Sequence, residues 1–223
     1  MDPGEAGRQA GRSHGYGTGS VQNVGKISRP SHRNGAVSKP WHAHVVGRRV
    51  ETVIREILAG DKEKFRVIIR EYSADLLRLA HHFVRDWDEA EDITQATFIA
   101  CYRSLSHYDP ARPFRPWLYR IHLNRCRSAY RWRRRHLARI MRLEDAPPTP
   151  ADPDPGDRSE LIMQQVDRLA TKQKAAFILI EIENLTSLEA AQIMGCSDST
   201  ARVHLVRAKQ RLRKLLAAAG VAL

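Results

Sequence analysis

This sequence predicts an all-α chain: two small helical domains joined by a flexible, acidic, proline-rich linker, the second domain a helix–turn–helix. Three observations carry that prediction. Apolar residues recur at i, i+3, i+4 and i+7 on both sides of the linker, and no stretch alternates with period two for long enough to make a strand. Five prolines and six acidic residues crowd the 17 positions 144–160, a composition that suits neither helix nor packed strand. Near the C-terminus a capping box, a glycine and a basic apolar-striped segment follow one another in order.

Residues 1–48 hold nine glycines, four histidines and seven Lys or Arg against only Asp2 and Glu5, with no apolar period. Too little apolar surface is available to offset chain entropy, so this segment is expected to be a disordered basic tail. His42 and His44 lack a third ligand nearby, and no metal site follows from them. Residues 49–143 form the first domain. Ile54, Ile57 and Leu58 begin an apolar face, which Leu76, Leu79, Ala80 and Phe83 continue. Ile93, Ala96, Ala100 and Leu105 suit a third helix, opened by Asp86, Asp88, Glu89, Glu91 and Asp92, whose charge complements the helix dipole. Trp117, Leu118, Ile121 and Leu123 belong to a fourth, with Pro116 in its first turn.

Residues 144–160 are the linker and span roughly 55 Å when fully extended. Residues 161–223 form the second domain. Thr186 and Glu189 make a Thr-x-x-Glu capping box before Ala190, Ala191, Ile193 and Met194. Gly195 suits the positive φ of a helix end. Ser197 or Asp198 can cap a second helix from about Ser199 to Leu216, on which Ala201, Leu205, Ala208, Leu212 and Leu215 make one buried stripe. Such a helix can enter a major groove, offering Ser199, Thr200, Arg202 and His204 to base edges and Arg207 and Lys209 to phosphates.

Charge narrows the function. Lys and Arg number 37 against 25 Asp and Glu, a formal balance of +12 that favours a polyanionic partner. Between Arg112 and Arg142 stand eleven arginines and no acidic residue, interleaved with Phe114, Trp117, Tyr119, Tyr130 and Trp132. Guanidinium groups for phosphates and flat rings for unstacked bases are what a single strand needs. No apolar run reaches the roughly 18–20 residues of a membrane span, and residues 1–20 contain no signal-peptide apolar region. Cys101, Cys126 and Cys196 are odd in number and far apart, against a disulfide framework or a paired-cysteine zinc site. A cytoplasmic chain with no membrane insertion, no cofactor and no metal is expected. Enzyme chemistry is not: there is no triad, phosphate loop or metal-ligand spacing, and His81 and His82, adjacent on a helix, point about 100° apart.

Residues 88–98, DEAEDITQATF, residues 108–124, YDPARPFRPWLYRIHLN, and the segment Leu185–Leu216 together resemble a bacterial sigma factor of the sigma-70 family, in its two-domain extracytoplasmic-function (ECF) group. The resemblance implies a promoter-specific initiation factor that binds core RNA polymerase at its β′ clamp and β flap, reads −35 DNA as duplex and opens the −10 element, with an anti-sigma factor as a further partner. It places Asp92, Gln95 and Phe98 on or under the polymerase-binding surface. Asp109, Arg112, Phe114 and Arg115 fall in a loop that captures a flipped −10 base, with Arg120 and Asn124 on the following helix. Thr200, Arg202 and Arg207 match positions that approach −35 DNA. Ala96 and Ser128 stand where the family commonly has Glu and Asp; Ser199, Ala201 and His204 stand where Gly, Val and Arg are common. The rival reading is a helix–turn–helix regulator that does not join core polymerase, for which the 88–124 block has no use.

Overall fold

The computed structural model describes residues 44–143 and 158–220. Within them the chain is helical: α1 (His44–Leu58), α2 (Phe65–Val84), α3 (Trp87–Ser104), α4 (Phe114–Leu143), α5 (Arg158–Val166), α6 (Thr171–Phe177), α7 (Ser187–Met194) and α8 (Asp198–Ala218). Two boundaries differ from expectation. Residues 44–48, assigned to the tail by their glycine and charge, already belong to α1. Residues 158–160, assigned to the linker, open α5. Composition averages over a window and so misses a helix end by a few residues. The remainder of the expected tail and linker lies outside the described residues.

Helices α1–α4 surround one apolar interior. Ile68, Leu76, Leu77 and Leu79 of α2 are fully enclosed, together with Leu118 and Leu123 of α4. Asp86 caps α3 by accepting the Glu89 amide at 2.8 Å, which places Asp88 and Glu89 in the first turn. Two hydroxyls that an apolar interior would otherwise penalise are satisfied locally: Thr94 donates to the Ala90 carbonyl and Thr97 to the Ile93 carbonyl. Since the Thr97 hydroxyl is already a donor, it accepts from His122 Nδ1 at 2.9 Å. His122 is fully buried, and desolvation lowers its pKa to about 3, so the ring is neutral.

In the second unit the capping box forms as expected, with Thr186 accepting the Glu189 amide and Glu189 accepting the Thr186 amide. Gly195 ends α7 in the left-handed region at φ 70°. Ser197, not Asp198, caps α8. The buried stripe of α8 is Ala201, Ala208, Leu212, Leu215 and Leu216; Leu205 is only half-buried.

The two units lie against each other through α4, which packs on α6 and α7. Lys174 of α6 is completely buried there, donating to the Phe83 carbonyl at 2.6 Å and to Asp167 at 2.7 Å, with its ammonium 4.0 Å from the Tyr130 ring centroid. Desolvation lowers its pKa, and Asp167 opposes that shift. Nearby, the buried Glu183 carboxylate accepts from Arg78 at 3.1 Å. Tyr130 donates to the Asp167 carbonyl.

Candidate nucleic-acid and polymerase interface

On α3, Asp92 and Gln95 project into solvent three residues apart, on one face of the helix. Phe98 does not. It is buried edge-on against Phe65 at 6.4 Å and supports that surface from beneath. Beside it, Asp92, Ile93 and Ala96 of α3 face Ile121, Asn124, Arg125 and Ser128 of α4 across an open groove. Ala96 and Ser128 are the two small residues lining this groove.

The loop before α4 is pinned at its base and open at its tip. Tyr108 is buried and donates to the Arg112 carbonyl. Asp109 accepts the Ala111 amide at 3.0 Å and pairs with Arg112 at 3.3 Å, an Asx turn that holds both exposed side chains outward. Phe114 and Arg115, expected in this loop, instead begin α4 and face inward. Phe114 packs among Tyr72, Tyr108 and Trp117 at 5.4–5.8 Å, so its ring is a wall of the domain and not a platform for a base. Arg115 reaches Asp75 at 3.4 Å. The sequence signal could not separate these roles, because ring-plus-arginine spacing is the same for a clamp and for an aromatic interior.

Along α4 the arginines divide. Arg120 donates to the Gln192 carbonyl at the end of α7, its guanidinium lying beside Gly195. Arg133 turns inward to Glu89 and the Val84 carbonyl. Arg131, Arg134 and Arg135 stay exposed, with Trp132 stacked on His136 at 5.0 Å and 7°. Asn124 is exposed at the groove.

On α8 the candidate residues also divide. Ser199 and Thr200 are exposed at the first turn, each side chain within hydrogen-bond reach of the Ser197 hydroxyl. Arg202 is bound to Asp198 at 2.6 Å and to the Ser187 hydroxyl at 3.1 Å. Lys209 pairs with Glu181 at 2.9 Å. His204 is half-buried; desolvation, then Lys172, Arg207 and Arg127, lower its pKa. Arg207 is exposed. Sequence reasoning missed Val203 and Val206, which stand exposed on the same helix and could have been found as apolar residues off the buried stripe. It also missed Lys174, for which the sequence offers no signal at all.

Among the described residues no group of three or more His, Cys, Asp or Glu is arranged to hold a metal, and no described helix is long and apolar enough to cross a membrane.

The order of these parts, an acid-capped α3, a loop into an arginine-rich α4, and a capped helix–turn–helix, defines a class. Sigma-70 region 2 matches residues 68–136 and sigma-70 region 4 matches residues 159–212. The RNA polymerase sigma factor NccH of Alcaligenes xylosoxydans xylosoxydans is 32% identical over 179 residues, covering 77% of this chain and 96% of that protein. The sigma factor CnrH of Cupriavidus metallidurans is 28% identical over 170 residues, covering 71% and 89%. A solved structure of CnrH in complex with the cytosolic domain of CnrY superimposes with a TM-score of 0.56 at 26% identity, covering 75% of this chain and 97% of that one. The chain belongs to the sigma-70 family, in its ECF group. That is a family of transcription initiation factors, not of enzymes.

Proposed function

We propose that this chain is a promoter-specific initiation factor that binds core RNA polymerase, reads a −35 element with α8 and opens the −10 element with α4 and the loop before it. One observation supports the reading: an exposed polar face on α3, with Asp92 and Gln95 outward, and a capped, outward basic helix at α8 occur on one chain, the first suited to polymerase and the second to DNA. A plain helix–turn–helix regulator has no need of the first. Residues 49–143 serve as the region 2 domain and 161–223 as the region 4 domain, and the chain acts in the cytoplasm without catalysing a reaction of its own.

Melting needs no covalent step. Unstacking costs a few kcal/mol per base, and capture of the flipped base offsets it. Asp109 and Arg112 at the loop tip meet that base, and Asn124 meets the strand at the groove. Exposed Arg131, Arg134 and Arg135 hold phosphates upstream. Arg120 is bound to the helix–turn–helix in this arrangement, so its contribution to the −10 strand requires the two domains to part. The 14 residues between α4 and α5 reach roughly 46 Å when extended, about 14 base-pair steps of ~3.4 Å, which permits it. An anti-sigma protein is the expected antagonist, supported by the CnrH–CnrY complex of the structural relative.

Reconstitution with core polymerase tests the proposal. Footprinting and strand-opening assays on genomic fragments are expected to show start-site selection that core enzyme alone lacks. Duplex binding without any start-site selection would replace it with the regulator reading.

A further inference from the structure

We propose that Val203 and Val206 form an apolar strip on α8 that reads thymine methyl groups in the −35 element. This rests on α8 being the −35 helix and names the chemistry of its specificity. Val203 is 45% and Val206 53% exposed, unusual for a residue type normally found inside. Ala201, Ala208 and Leu212 define the buried side of the helix. At 3.6 residues per turn, Ser199, Val203 and Val206 all fall within about 40° of the opposite side. The outward face therefore carries two apolar side chains between Ser199 at its N-terminal end and Gln210 one turn beyond Val206, with Arg207 on the flank.

Two cations expected at the DNA, Arg202 at base edges and Lys209 at a phosphate, have partners within the protein. Arg202 is held by Asp198 and Ser187, and Lys209 by Glu181. Both lie about 80–100° from the centre of the outward face at 3.6 residues per turn, so Val203 and Val206 stand nearer that centre than either cation. Among the four bases, the only apolar group displayed in the major groove is the thymine C5-methyl. Val203 and Val206 are about 4.5 Å apart along the helix axis, comparable to one base-pair step of ~3.4 Å. A protein partner would suit an apolar strip set in a neutral surround, whereas Arg207 and Lys214 flank the strip on the same helix. That charge selects DNA.

The test uses holoenzyme assembled from the full chain and core polymerase. Binding sequences are first selected from DNA randomised at the −35 element. Each thymine of the selected element is then replaced singly by deoxyuridine, which keeps the base pair and lacks the methyl. At least one replacement is expected to weaken wild-type binding by about fourfold, the effect of one buried methyl. Val203→Ala or Val206→Ala is expected to bind the thymine and deoxyuridine duplexes alike. Both side chains are exposed, so neither change disturbs the fold.

Wild-type indifference to every replacement, full methyl sensitivity in both variants, or selection of elements without A·T pairs each overturns the inference. So does a loss of core-polymerase affinity in the variants with unchanged DNA preference, which would make the strip a protein contact. In all these cases −35 protection persists and the proposed function stands. Absence of any −35 protection by wild-type holoenzyme overturns both.

Discussion

Helices α4 and α8 both read as basic DNA-binding helices, and the structure treats their charges differently. In α4 several of the ring and cationic side chains are committed inward or against the other domain. Arg115 goes to Asp75, Arg120 to the Gln192 carbonyl, Arg133 to Glu89, and Tyr130 to the Asp167 carbonyl. In α8 the inward side is only alanine and leucine, and the outward side retains Ser199, Thr200, Val203 and Arg207. A helix in the middle of a fold must satisfy neighbours on several sides, while a helix on its edge needs one buried stripe. Net charge along a sequence therefore overstates the nucleic-acid surface of a central helix more than that of a peripheral one.

The contrast can be broken most severely at Lys174. Lys174→Ala leaves the Phe83 carbonyl without its donor and Asp167 without its nearest cation, and empties the space beneath the Tyr130 ring. The expected loss is about 3 kcal/mol, a fall in Tm of roughly 6–12 °C by calorimetry. Lys209→Ala on α8, whose partner Glu181 is exposed, is expected to leave Tm almost unchanged.

Acid supplies a second break, to which His122 of α4 contributes together with His82 of α2, whose pKa burial lowers to about 4. Folded His122 resists protonation down to about pH 3, while the unfolded ring titrates near 6.5. Between those values the unfolded state binds more protons, so this group's contribution is complete above pH 6.5 and is lost as pH falls through the window. Its slope reaches about 1.4 kcal/mol per pH unit. Denaturant titrations at pH 7 and pH 5 are expected to show that His122→Gln flattens this dependence. An unaltered slope would place the acid sensitivity elsewhere.

A milder change sharpens the comparison from the other side. Thr186→Ala removes the cap of α7 and is expected to cost about 1 kcal/mol in urea denaturation. Smallest of all is a difference between two cations of α8. In the holoenzyme, Arg207→Ala is expected to reduce the salt dependence of promoter binding by nearly one ion. Lys209→Ala is expected to reduce it by less, because that ammonium is already neutralised by Glu181. Equal slopes would show that the Lys209 pair opens on binding.

The sequence by itself determined the helical class, the Thr186–Glu189 box, the Gly195 turn and the acidic opening of α3. These are local: each depends on the chemistry of residues within one or two turns, and spacing reports it directly. Helical spacing also placed Ser199 and Thr200 off the buried stripe of α8, and both are exposed. Tertiary structure alone decided how individual side chains are used. Phe98 and Phe114 became walls because rings from α2 and the loop before α4 converge on them. Arg120 met the end of α7 from 72 residues away, and Lys174 was enclosed by a carbonyl 91 positions earlier. The physical reason is range. Capping and amphipathic periods act between neighbours in sequence, whereas desolvation and ion pairing act between neighbours in space, and only the fold says which those are.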